Sequence, residues 1–167
     1  VYGDKDDAMI KETADTNPLS VYGKTKLFSE QILSDTLGLN AVSLRYFNVV
    51  GNVSDGFFGD STDSPAIFPS ILRSYFDRSV KLEIYGNDYN TKDGTPVRDY
   101  IHVEDLVDAH FKSLEFLEEN EGFKVFNIGR GEGYTLLELI KTLEYIVGEK
   151  LNYEIKERKI GDIEKSV

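Results

Sequence analysis

Apolar and polar positions change period repeatedly along this chain, and each change marks an element. Ser20 stands where a side-chain oxygen can cap a helix; that helix runs to about Thr36, and Gly38 is its natural stop. Over 41–47 the period drops to two. Val42, Leu44 and Tyr46 alternate with Ser43 and Arg45, which predicts a strand. Residues 48–64 are rich in Gly, Asp and Ser and read as a long loop of the kind that often carries function. Residues 67–76 predict a helix with Pro69 in its first turn, where a missing N–H costs little. A short strand follows at 82–85, then a second polar loop over 86–96.

Residues 98–103 predict a strand and 104–117 a helix, its apolar face formed by Leu106, Val107, Phe111, Leu114 and Leu117. Another strand is expected at 125–128. Thr135 and Glu138 have the spacing of a capping box, opening a helix that runs to about Val147 and ends at Gly148. A last strand is expected at 151–155. Strands separated by helices imply parallel pairing and an α/β fold. There is no internal repeat and no low-complexity stretch.

Composition narrows the possibilities. The 167 residues, 40% of them hydrophobic, suffice for one core or two interleaved half-cores. A net charge of -11 argues against a nucleic-acid backbone as partner, yet a few local arginines can still define a pocket for a small anion. Without cysteine there are no disulfides, thiolate nucleophiles or cysteine-ligated metals, which fits a reducing, cytoplasmic setting. No apolar run has the length of a membrane span, and no signal peptide is visible. The chain begins at Val1, its only methionine is Met9, and both ends read as cut from a longer polypeptide.

The chemistry concentrates at Tyr22 and Lys26. Four residues apart on a helix, their side chains share one face. A free phenol has a pKa of about 10 and is a poor base at neutral pH, but a neighbouring positive charge favours its phenolate. A tyrosine so placed can take the proton of an alcohol while a hydride leaves the carbon. Alone, the pair reads more readily as an aromatic resting on a lysine stem; its surroundings decide otherwise.

Other candidates separate into structural and functional readings. Gly129, Gly131 and Gly133 lack the dinucleotide-fingerprint spacing and read as a tight turn, so no pyrophosphate loop is recognisable. His102, inside an apolar strand, reads as a packed, hydrogen-bonded histidine. His110 has no third ligand that would make a metal site. The acidic stretch 115–121 reads as a solvated helix end. Arg98, where a polar loop enters a strand, suits bidentate phosphate binding or an ordinary surface ion pair equally well.

Four segments together carry a resemblance: Val1-Tyr2-Gly3; Pro18-Leu19-Ser20-Val21-Tyr22-Gly23-Lys24-Thr25-Lys26; Leu44-Arg45-Tyr46-Phe47-Asn48-Val49-Val50-Gly51; and the stretch from Tyr85-Gly86-Asn87-Asp88-Tyr89 through Asp93-Gly94-Thr95 to Arg98-Asp99-Tyr100-Ile101-His102-Val103. Over nearly its whole length the sequence resembles the extended short-chain dehydrogenase/reductase family, and the last segment is similar to the UDP-sugar 4-epimerases within it. The resemblance implies the C-terminal part of a Rossmann-type parallel sheet interleaved with a smaller α/β substrate domain. Residues 1–50 and 99–118 would complete the NAD-binding domain; 51–98 and 119–167 would form an incomplete substrate-binding domain.

It also implies roles. Tyr22 and Lys26 would be catalytic and would contact NAD together with Tyr46. Asn48 and Arg98 would bind a diphosphate, Tyr85 a uracil, Asp162 a ribose, and Ser166 would line the sugar pocket. The substrate would be UDP-glucose or UDP-galactose, with the N-acetyl forms a further possibility, and the full-length protein could be a homodimer. The Gly-rich first half, the family's catalytic Ser or Thr and the C-terminal helices would lie outside these 167 residues, so activity is expected only in the full-length protein. Three positions depart from the family pattern: Val49 replaces a frequent proline, Ala66 a diphosphate-contacting asparagine, and Lys159 an arginine beside which Arg158 could substitute. A nucleotide-sugar 4,6-dehydratase and a non-catalytic fragment stay open as alternative readings.

Overall fold

The computed structural model describes residues 1–5, 9–56, 59–61 and 63–167. Part of the expected loop over 48–64, namely 57, 58 and 62, lies outside them. The described residues form α1 (Val21–Asp35), β1 (Ala41–Tyr46), β2 (Asn48–Val50), α2 (Ile67–Phe76), β3 (Leu82–Tyr85), β4 (Val97–His102), α3 (Val103–Glu119), β5 (Phe123–Ile128), β6 (Gly133–Thr135), α4 (Leu136–Val147), β7 (Tyr153–Lys156) and β8 (Lys165–Ser166).

The local signals act as the sequence predicts. Ser20 caps α1, its Oγ accepting from Gly23 N at 3.0 Å. The helix ends at Thr36, however, before Gly38. Thr135 and Glu138 form the full capping box of α4, and Gly148 closes that helix in the left-handed region at φ 74°. His102 caps α3 by accepting from Glu104 N, so it is hydrogen-bonded as expected, but its side chain is 42% exposed at the strand end and not packed within the strand.

β1 and β5 pair in parallel, Arg45 opposite Asn127. β3 and β7 form a second parallel pair. β4 joins the remaining strands. Its C-terminal half pairs in parallel with β2, Asn48 opposite Tyr100. Its N-terminal half lies between antiparallel β6 and parallel β8, where Arg98 faces Tyr134 on one side and Ser166 on the other. The expectation of parallel pairing throughout is corrected by β6, and the loop expected from 48 onward opens with a strand. Short strands of two or three residues have no readable period; they exist because β4 supplies backbone partners.

The apolar core gathers Ile71, Leu82, Ile84, Ile140 and Leu151, from α2, β3, α4 and the approach to β7. The Gly-rich turn is organised by Asp99, which is fully buried. Its carboxylate accepts from Arg130 N at 3.0 Å and Gly131 N at 2.7 Å. A Cβ on Gly129 would meet that carboxylate at 2.5 Å, so the close approach demands glycine. The expected tight turn thus wraps an internal carboxylate, which the glycine spacing did not announce.

Asp93 ties the 86–96 loop to α4. Its Oδ2 accepts from Thr135 Oγ1 at 2.5 Å, and its Oδ1 accepts from Thr95 N at 3.0 Å and Thr95 Oγ1 at 2.7 Å. Burial alone would raise this carboxyl, but the bonds from Thr135 and Thr95 outweigh it and hold the group below the usual carboxylate range. A depressed folded-state value contributes stability that is complete above the unfolded value of about 4 and fades as pH falls through the folded one. We expect Asp93→Asn to lower the thermal midpoint at pH 7 and to flatten its decline on acidification. Melts between about pH 7 and pH 2 check this, and an acid limb identical to that of the unsubstituted protein contradicts it.

Candidate active site

The sequence pairs Tyr22 with Lys26, and α1 brings them together. The Lys26 ammonium lies 5.2 Å from the centroid of the Tyr22 ring, and both side chains are exposed. Tyr22 sits in the first turn, just after the Ser20 cap, and 69% of its surface is open. α1 leads to β1, whose C-terminal residue Tyr46 is also half open. In open α/β sheets, ligands gather beyond the carboxyl ends of strands, where Tyr46 and Asn48 stand.

Two cavities lie farther along. The first, of about 530 Å³, is lined by Asn48, Gly51, Ala66, Ile67, Phe68 and Tyr100, among others. Tyr100 opposes Asn48 across β2 and β4 and stacks edge-on against Phe68 with centroids 5.7 Å apart. Burial pushes the Tyr100 phenol up to about 12, so it remains a neutral hydroxyl at physiological pH. The second cavity, of about 550 Å³, is lined by Arg73, Tyr85, Leu136, Lys159 and Asp162, among others. Ile67, first residue of α2, lines both. The first turn of that helix, whose N–H groups have no partner within the helix, therefore opens at the junction.

The second cavity joins residues far apart in sequence. Arg98 Nη2 donates to Asp162 Oδ1 and to Ile163 O, both at 2.7 Å, while Nη1 reaches Glu164 O at 3.3 Å. The 162–164 segment is thereby strapped to β4. Lys159 lies 3.7 Å from the centroid of the Tyr85 ring, placing a cation on the aromatic wall. Arg158 turns elsewhere: it bonds Asp88 at 2.6 Å and stacks over Tyr89 at 3.8 Å. Lys159 itself, and not its neighbour, occupies the cavity position. Glu83 binds the Tyr85 hydroxyl and raises its pKa. Ser166 is level with Arg98 across β4 and β8.

The expected site residues thus fall into three places. Tyr22 and Lys26 are paired on α1; Tyr46 and Asn48 stand at the β1–β2 junction, with Asn48 in the first cavity; Tyr85 and Asp162 line the second cavity, while Arg98 and Ser166, level on β4 and β8, line neither and reach it only through the Arg98–Asp162 bond. The sequence reading missed Ile67, Arg73, Phe68 and Tyr100 as lining residues. Only Tyr100 had a local signal, as the residue two after Arg98 on the same strand face.

Comparison with known proteins supplies context. Residues 1–129 match the NAD dependent epimerase/dehydratase family. The chain is 39% identical over 165 residues to UDP-glucose 4-epimerase of Lactobacillus helveticus, covering 96% of this chain and 50% of that protein. UDP-glucose 4-epimerase from Bifidobacterium longum, solved in complex with NAD+ and UDP, superposes with a TM-score of 0.92 at 38% identity, covering 99% of this chain and 51% of that one. The UDP-Glc/GlcNAc 4-epimerase from Campylobacter jejuni gives 0.71 at 35% identity, covering 99% and 52%. The chain spans about half the length of the curated relatives it matches.

Arg98 should govern the strap. Hydrogen bonds to a charged group contribute about 1.5–3 kcal/mol, so Arg98→Ala should free the segment that follows Asp162. Amide exchange should accelerate over 163–167 while β3 and β7 keep their protection. Unchanged exchange over 163–167 would mean that the backbone bonds of β8 suffice.

Proposed function

The chain belongs to the NAD dependent epimerase/dehydratase family, and from that membership we propose that the full-length protein is a UDP-sugar 4-epimerase. It interconverts UDP-glucose and UDP-galactose and also accepts the N-acetyl forms. The observation that carries this reading is the exposed Tyr22–Lys26 pair, one helical turn apart with the ammonium against the phenol ring. The donor set fits a nicotinamide dinucleotide: a phenol and an ammonium facing outward together, and an exposed aromatic, Tyr46, at the end of β1. Lys26 and Tyr46, with Tyr22, are the residues that would hold that cofactor, Lys26 at its ribose. Bound NAD supplies reversible two-electron oxidation at the sugar C4.

Tyr22 would take the proton of the 4-hydroxyl as C4 loses its hydride to the two-electron acceptor and becomes the 4-keto carbon, and would return the proton when C4 is reduced again after the ring has turned over. Asn48 and Arg98 hold the diphosphate, with Lys159 adding charge. Tyr85 stacks on the uracil and Asp162 binds the uridine ribose. The shared lining residue Ile67 supports a continuous path from uracil to sugar. In this reading residues 1–50 and 99–118 complete the NAD-binding domain, while 51–98 and 119–167 form the substrate-binding domain. The core around Ile71, Ile84 and Ile140 supports that division for α2, β3 and α4, whereas β5 (Phe123–Ile128), paired with β1 along its whole length, belongs with the sheet of the first domain. The reading carries with it galactose metabolism, a cytoplasmic location and a homodimer. Among the described residues, no helix is long and apolar enough to cross a membrane.

In the full-length protein, Tyr22→Phe should lower turnover at least about a hundredfold, the low end for a positioned acid–base group, with UDP-sugar binding nearly unchanged. Unaltered turnover would reduce the pair to a packed aromatic and its lysine. Ser166 supplies the sugar test. A small residue beside Arg98 leaves room for an acetamido group as the keto sugar turns, whereas a phenol would fill that space. Ser166→Tyr should therefore abolish turnover of UDP-N-acetylglucosamine while sparing UDP-glucose. Equal loss of both, or of neither, removes Ser166 as the gate.

A further inference from the structure

We infer that the Glu30–Arg45 ion pair is a positioning device for the reaction, setting the rotation of α1 and with it the placement of Tyr22 and Lys26. This rests on the epimerase reading above. Tyr22, Lys26 and Glu30 follow one another at four-residue steps, so they lie along one face that drifts only about 40° per step. At the far end of that stripe, Glu30 is buried, at 8% exposure. The buried residues of α1 are Gly23 and Glu30, while Val21, Phe28 and Ile32 are exposed. Within these 167 residues the most deeply buried side chain of α1 is therefore a charged one, with Leu27 and Leu33 half-buried beside it.

The clamp is bidentate. Arg45 Nε donates to Glu30 Oε1 at 2.9 Å and Nη2 donates to Oε2 at 2.6 Å; Ser43 Oγ adds a third bond to Oε1 at 2.7 Å. The paired side chains are 12% and 11% exposed. Burial would raise the Glu30 carboxyl, but Arg45 and Ser43 hold it below the usual range. The third edge of the guanidinium is fixed as well. Nη1 donates to the Tyr2 hydroxyl at 2.8 Å, which donates to Asn127 Oδ1 at 2.6 Å. Asn127 Nδ2 in turn donates to Ile10 O at 2.8 Å. The relay therefore spans α1, β1, β5 and the N-terminal segment.

Arg45 directly precedes Tyr46, so the clamp ties the Tyr22–Lys26 face to the strand end proposed to meet the same cofactor. A second fixed point lies at the helix start, where a Cβ on Gly23 would stand 2.9 Å from the Pro18 Cβ. Two fixed points along a helix define its rotation as well as its height. A planar fork locked on a carboxylate gives directional control that an apolar contact does not.

The test uses the full-length protein with Glu30→Gln and with the double variant Glu30→Leu/Arg45→Leu. Replacing a buried pair by apolar residues commonly restores stability, so the double variant separates folding from positioning. We expect both to lower kcat about ten- to a hundredfold, the scale of a small misplacement of reacting groups, with KM for UDP-glucose nearly unchanged. We expect the double variant to regain the melting temperature but not kcat. Recovery of kcat together with melting temperature overturns the inference and leaves a purely structural pair. Amide exchange over 22–26 provides a readout that does not depend on turnover. Acceleration of about tenfold or more in both variants, with β3 and β7 unchanged, upholds the clamp even if the unsubstituted protein proves not to be an epimerase; unchanged exchange overturns it.

Discussion

Strand β4 has partners on both edges, and they change halfway along it. Val97 and Arg98 lie between β6 and β8, Asp99 pairs with β6, and Tyr100–His102 pair with β2. Both cavities depend on this strand in part: Tyr100 lines the first, and Arg98 holds Asp162 of the second. Successive side chains leave it in alternate directions, each with a task. Arg98 straps the 162–164 segment, Asp99 holds the Gly129–Gly131 turn, Tyr100 lines the first cavity and His102 caps α3. A strand that satisfies so many backbone and side-chain groups can move little without leaving several of them unpaired.

The two parts of the molecule are held by different forces. Around β3 and β7 the cohesion is apolar, with Ile71, Ile84 and Ile140 almost fully buried. Around α1 it is polar, built on Glu30, Arg45, Tyr2 and Asn127. Meanwhile Phe28, Ile32, Phe111 and Leu114 remain open on α1 and α3. Apolar burial fixes volume, whereas bidentate ion pairs fix direction. A helix proposed to present a phenol and an ammonium together would benefit from the second kind of restraint.

The charge distribution follows the same division. The protein is strongly acidic, yet Arg73 and Lys159 line the second cavity and Arg98 stands directly behind Asp162. A few cations in a concave site can attract an anion that the surface as a whole repels. The balance inside is fine, because Asp162 partly satisfies Arg98 before any ligand arrives.

Whatever is local was legible from the residues alone. Helical period placed Tyr22 and Lys26 on one face; Ser20 and the Thr135–Glu138 box marked helix starts; alternation over 41–46 gave β1; and the Gly129–Gly131 spacing announced a turn rather than a dinucleotide loop. Each depends on interactions within a few residues, which propensity and period encode directly. Long-range packing settled the rest. No residue near Arg98 in sequence indicates that its guanidinium meets Asp162, 64 residues away. Lys159 and Arg158 were interchangeable until Asp88 and Tyr89 took the arginine and Tyr85 took the lysine. Strands β2, β6 and β8 are too short to carry a period of their own, and exist only because β4 offers hydrogen bonds to them. Contacts between such distant segments leave no local pattern, because no neighbouring residue constrains which partner a side group or a backbone edge will meet.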